Sequence, residues 1–137
     1  MAYAANLIRR FYDEAVGGGN LDLVDELTAD DFVDHEEGFP GQPPGKEGVG
    51  FFINTLREAF PDIRARVDIT LDEGDLGAAR GILTGTHQGD FLGVAATNKS
   101  VEFEVIDIIR VEDGKVAEHW GLTDTIALMQ QVGAIPE

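Results

Sequence analysis

The sequence predicts an α+β fold built as one domain over residues 1–137. Three observations predict it. Apolar residues recur at helical spacing as far as Phe60, and from Ile63 they alternate with period two almost to the end of the chain. Glycines and prolines separate the helical runs: Gly17-Gly18-Gly19, the stretch from Glu36 to Gly45, and Pro61. Helices followed by strands imply N-terminal helices packed on a curved, mostly antiparallel sheet that encloses a pocket. One face of such a sheet meets the helices. The other needs a cover, and a homodimer through the sheet is the economical one.

Leu7, Ile8, Phe11, Tyr12 and Ala15 share one stripe of a first helix, which the three glycines end. Asn20 is placed to cap a short second helix carrying Leu21, Val24 and Leu27. Phe32 to Asp34 reads as a short extended piece, and Glu36 to Gly45, with three prolines and three glycines, as a loop. Val49, Phe52, Ile53, Leu56 and Phe60 mark a third helix that Pro61 stops. Ile63, Ala65, Val67, Ile69 and Leu71 form one face of a strand, and Asp72 to Asp75 a turn. Leu76 to Gln88, Val101 to Val111 and Val116 to Thr123 are three further strands. Ile126 to Val132 is a last short helix, which Asp124 can cap.

Composition excludes several functions. Hydrophobic residues make up 43% of the chain, enough for a core and unlike a disordered segment. Ten basic residues against twenty-six acidic ones give a net charge of -16, which repels phosphate backbones and anionic lipid. No nucleic-acid or membrane partner is therefore expected, and no apolar run approaches the ~20 residues of a membrane span. Met1 to Asn6 shows no basic segment leading into an apolar run, and there is no cysteine, so a cytoplasmic location is expected. No phosphate loop, nucleophile elbow or paired-histidine metal spacing is present, so neither cofactor nor metal is expected.

The side chains able to do chemistry are few. Asp107 interrupts an apolar strand face of Val101, Phe103, Val105, Ile109 and Val111, and a charge there needs a partner. The hairpin that follows allows two registers. A two-residue Asp113-Gly114 turn sets Asp107 opposite Trp120, and a three-residue loop sets it opposite His119. Arg80, mid-strand in an apolar run, either pairs with a carboxylate such as Asp107 or Glu118 or grips an anionic ligand. Phe52, Phe60 and Trp120 serve either the core or a ligand platform.

Several segments resemble the SnoaL-like polyketide cyclases, or ester cyclases: DDFVDHE (Asp30 to Glu36), AFPD (Ala59 to Asp62), GTHQGDFLGVAATNK (Gly85 to Lys99), DGKVAEHWGLTD (Asp113 to Asp124) and LMQQVG (Leu128 to Gly133). The resemblance covers nearly the whole chain. It implies the nuclear transport factor 2-like cone, also called cystatin-like, usually as a homodimer. It also implies a pocket for a small apolar carbonyl-containing ligand, and ring closure by intramolecular aldol condensation without metal or cofactor. Related cones isomerise ketosteroids, open epoxides or transfer hydroxyl groups, and the last two need a carboxylate beside an arginine, which Asp107 and Arg80 could supply.

All three histidines, His35, His87 and His119, fall inside matching segments. His35 is read as pocket rim or loop support, and His87 as a loop anchor or a catalytic group. The resemblance favours the register that sets Asp107 opposite His119, a carboxylate–imidazole dyad with Asp107 as base and His119 as partner or acid. The cyclase pattern has a glutamine where this chain has Val105, a histidine at Asp107 and the acid/base aspartate at Gly121. Val105 and Gly121 are thus expected to line the pocket, with the proton-transfer role moved to Asp107.

Overall fold

In the computed structural model, which describes residues 3–137 with side chains from Ala4, helix α1 (Tyr3–Arg10) continues into a π-helical turn, Phe11–Val16. The part of the N-terminal reading that rests on Met1 and Ala2 lies outside the described residues. The π-turn closes with the Gly17 N–H on the Tyr12 carbonyl, and Gly19, at φ 74°, then reverses the chain. Helix α2 (Asp22–Leu27) begins two residues after the expected cap Asn20, with Leu21 at its N-cap. The Asn20 N–H is tied back to Glu14 and its carbonyl, rather than its side chain, receives the Leu23 N–H, so the helix has no side-chain cap. Helix α3 (Lys46–Ala59) ends ahead of Pro61 as expected.

Strand β1 (Thr28–Asp34) starts four residues earlier than the extended piece read from the sequence. Then come β2 (Arg64–Glu73), β3 (Leu76–Thr86), β4 (Ser100–Glu112) and β5 (Lys115–Thr123). Helix α4 (Thr125–Gln131) is capped by Asp124, whose carboxylate accepts the Ala127 N–H at 3.0 Å. The sheet order is β1-β5-β4-β3-β2. β2 to β5 form an antiparallel meander, and β1 joins β5 in parallel, which makes the sheet mixed.

Alternation sorts β3 and β4 into two faces; in β2 the register shifts between Val67 and Ile69, so Ile69 and Leu71, expected on the face of Val67, turn outward and are exposed. Ala79 and Leu83 of β3, and Phe103, Val105 and Ile109 of β4, point inward against Ile8, Val16, Ile53 and Leu56 of the helices. Each large side chain so buried contributes roughly 1.5–3 kcal/mol. The first turn of α1 sits directly on β3: a Cβ at Gly77 would stand 2.6 Å from the Ala4 Cβ and the Ala5 nitrogen. The outer face leaves Ile106, Ile108 and Leu122 exposed.

The β4–β5 hairpin departs from both registers read from the sequence. Asp113 and Gly114 form the two-residue turn, both with positive φ (52° and 78°), as the right-handed twist of the strands favours. The register then shifts between Arg110 and Val111, where Ala117 adds one residue to β5. Beyond this bulge Asp107 lies opposite Gly121, neither Trp120 nor His119. Among the described residues no helix is long and apolar enough to cross a membrane.

Candidate functional site

His119 sits on β5 between two strands that each bring a carboxylate to it. On the parallel side Asp34 is its direct neighbour in register, and the Asp34 Oδ1 accepts from His119 Nδ1 at 2.7 Å. On the antiparallel side Asp107 is the diagonal neighbour, and its Oδ1 accepts from His119 Nε2 at 2.7 Å. The diagonal reach depends on Gly121. A Cβ there would stand 2.8 Å from the His119 Cε1 and Nε2, so only a glycine lets the ring lie across the position opposite Asp107.

The imidazole responds to both carboxylates. Burial alone would lower its pKa, but the hydrogen bonds and charges of Asp107 and Asp34 outweigh that and raise it to about 10. At neutral pH the ring is an imidazolium donating from both nitrogens. Tyr12, carried by the π-turn, donates its hydroxyl to Asp107 Oδ2 at 2.6 Å. Burial and then the Asp107 charge push the Tyr12 phenol well above its ordinary range, so it stays a donor.

Glu36 completes the group. Its N–H is held by Asp34 Oδ1 at 2.9 Å, a turn that sends the side chain back inward. The Glu36 Oε2 accepts from the Thr123 hydroxyl at 3.0 Å, and its Oε1 is 3.9 Å from His119 Nε2. Burial raises the Glu36 carboxyl above its ordinary value; Asp107 and Asp34 push the same way and His119 opposes them. These groups open on a cavity of about 90 Å³, otherwise mostly apolar, with Leu7, Phe11, Leu27, Phe32, Val49 and Phe52 in its walls. Neither lysine nor arginine lines it. Glu36, Asp107 and His119 also present donor atoms within 4.8 Å of one another, a set of the types that ligate divalent cations. A cation there would compete with the Nε2 proton that Asp107 holds.

Of the residues singled out in the sequence, Asp107, His119 and Phe52 line the cavity. Gly121 lies beneath the His119 ring. Val105 is buried in the core beside Gly81, and Phe60 is buried between His87 and Phe91. His87 is fully buried and anchors the loop after β3, with Nδ1 facing Thr97 and Nε2 without a hydrogen-bond partner. His35 points outward, stacked on Trp120 at 5.0 Å with Nε2 on Glu118 at 2.7 Å.

Arg80 pairs with Asp68 and Glu104 instead of Asp107 or Glu118. The reason is register: Asp107 lies opposite Ala79, so Arg80, one residue on, faces the other side of the sheet. The arginine that epoxide opening or hydroxyl transfer calls for is therefore not beside Asp107. Tyr12, Asp34, Glu36 and Thr123 are the members that sequence reasoning missed. Two signals were available: a tyrosine on a core stripe needs a partner for its hydroxyl, and Asp34, Glu36 and Thr123 fall inside the matching segments.

The sequence and the fold both have counterparts among known proteins. Residues 6–132 match the model of the SnoaL-like polyketide cyclase family. The chain is 30% identical over 140 residues to aklanonic acid methyl ester cyclase DauD of Streptomyces sp. (strain C5), covering 97% of this chain and 83% of the relative. The structure of IdmH of Streptomyces antibioticus, named as a candidate polyketide cyclase, superposes with a TM-score of 0.79 at 34% identity, over 93% of this chain and 96% of that one. AclR of Streptomyces galilaeus, named as a candidate hydroxylase, gives 0.84 at 27% identity, over 96% and 82%.

Proposed function

This chain belongs to the SnoaL-like polyketide cyclase family, and from that premise we propose that it closes a ring in a small, neutral, polyketide-type carbonyl compound by intramolecular aldol addition. Acid/base enzyme chemistry is the family's trade; the aldol step and the neutral substrate are the parts proposed. The observation that carries the reading is an apolar cavity whose polar lining gathers around one partly buried imidazolium with its carboxylates. Three carboxylates against one cation disfavour a free acid and favour an ester or ketone. The His119 charge, held by Asp34 and Asp107, offsets part of the negative charge that an enolate brings into the cavity. In a water-poor cavity such preorganised charge is worth far more than in bulk solvent. The reading also takes a cytoplasmic protein that pairs through its sheet, supported by the absence of cysteine and by the exposed apolar outer face.

The test is deuterium uptake at the α carbon of β-keto esters and cyclic ketones in deuterated water, followed by NMR. Uptake faster than the buffer rate is expected for the compounds that bind. Binding without any accelerated uptake would remove carbon-acid chemistry from this cavity.

A further inference from the structure

We propose that Glu36 is the proton carrier of this cavity, taking the proton from the substrate carbon and returning it to the newly formed oxygen; this rests on the aldol reading above. Among the titratable groups at the cavity, the others are already engaged. Both nitrogens of His119 donate to carboxylates, so the ring has no lone pair for a substrate proton. Asp107 accepts from His119 on one oxygen and from Tyr12 on the other. Asp34 holds the His119 ring and the Glu36 N–H on the same oxygen. The Tyr12 hydroxyl is spent on Asp107. Glu36 Oε1 and Asp34 Oδ2 have no hydrogen-bond partner among the described residues, but the other oxygen of Asp34 is tied to the His119 imidazolium, whereas the other oxygen of Glu36 holds only a neutral hydroxyl.

The fold also makes room for this side chain. A Cβ at Gly121 would stand 2.5 Å from Glu36 Oε1, so the carboxylate fills the volume that any larger residue at 121 would take. The burial that raises the Glu36 carboxyl makes it a stronger base once ionised, and moves its proton affinity toward the working pH. The groups facing it are His119, Thr123, Asp107 and Asp34, with Tyr12 behind Asp107.

Chemically the cycle closes on itself. Glu36 Oε1 takes the α proton, and the C–H electron pair passes into the enolate. The enolate carbon attacks the second carbonyl carbon, a C–C bond forms, and the π pair of that carbonyl becomes an alkoxide. The proton then returns from Glu36 to the alkoxide oxygen. Nothing is oxidised or reduced, and the product is an isomer of the substrate.

The experiment follows loss of the α-proton signal of ethyl 2-methylacetoacetate in deuterated water, with the wild type, Glu36→Gln, Glu36→Asp and Gly121→Ala. Glu36→Gln is expected to lower kcat/KM for exchange by about 10²–10⁴-fold while the protein melts at the same temperature or higher. The wild-type rate should rise with pH along a limb whose midpoint lies above the ordinary glutamate value. That limb should vanish in Glu36→Gln and move in Glu36→Asp. Gly121→Ala should slow exchange with Glu36 chemically intact, since the methyl crowds both the Glu36 carboxylate and the His119 ring. Exchange at the wild-type rate in Glu36→Gln overturns the role of Glu36 and leaves the aldol reading standing. A wild type that does not exceed the buffer rate overturns both.

Discussion

At the scale of single residues, the imidazolium is a feature of the folded state. Its folded pKa of about 10 lies above the roughly 6.5 of a free histidine. The stability it contributes is complete below about pH 6.5 and is lost as the pH rises toward 10. Urea unfolding of the wild type and His119→Gln should show their difference shrinking between about pH 6 and 10; a constant difference would mean that the ring is not charged. Tyr12→Phe should cost about 1.5–3 kcal/mol, because it strips a donor from a buried carboxylate, with the loss read as a lower urea midpoint. Glu36→Gln should leave the protein at least as stable at neutral pH, since the fold disfavours that charge. Asp107 and His119 were legible in the sequence, one as a charge on an apolar strand face and the other inside a matching motif. Glu36 was not read, although it too falls inside a matching segment. It stands where period-two alternation gives way to a loop of glycine and proline, and a charged residue there looks like any solvated loop residue.

Among elements, the decisive detail is the Ala117 bulge. The sequence left the turn open between two and three residues and the resemblance favoured three; it forms as two, Asp113 and Gly114, both with positive φ. The register beyond it was not readable, because an alanine is small enough for either face and carries no sign that it stands outside the ladder. Strand β1 was read short for a related reason: Thr28 to Asp31 is too polar to alternate, and of these only Thr28 stands in register with β5, opposite Val116. The helix-to-sheet contact makes its own prediction. Gly77→Ala would drive a methyl into the Ala5 backbone, so α1 must shift off β3. A loss of about 1–3 kcal/mol is expected in denaturant unfolding, and a neutral result would mean that α1 is free to move.

For the molecule as a whole, the fold class was the most legible level, since helical spacing before Phe60 and alternation after it needed no register. The two faces of the sheet came from alternation in β3 and β4, but not in β2, where the bulge at Asp68 turns Ile69 and Leu71 outward. The outer face pairs Ile106 directly with Leu122, both exposed, beside Ile108. The proposed dimer would cover them. Sedimentation equilibrium should find two copies, and Ile106→Lys with Leu122→Lys should give one, with the cavity side chains untouched. A wild type that stays single at tens of micromolar would retire the dimer. With a charge of -16 on each copy, association should strengthen as salt is added, because screening relieves like-charge repulsion.

The shared volume between position 121 and the Glu36 carboxylate has an evolutionary reading. Two points far apart in the chain compete for one place in space, so their substitutions are epistatic. A carboxylate at 121 and one at 36 exclude each other, and a chain that moves from either arrangement to the other one step at a time must pass through a protein with two rivals for the site or none. The exchange would best be crossed when the reaction is not under selection, which would let one fold split into lineages that keep the same proton at the same place from different parts of the sequence.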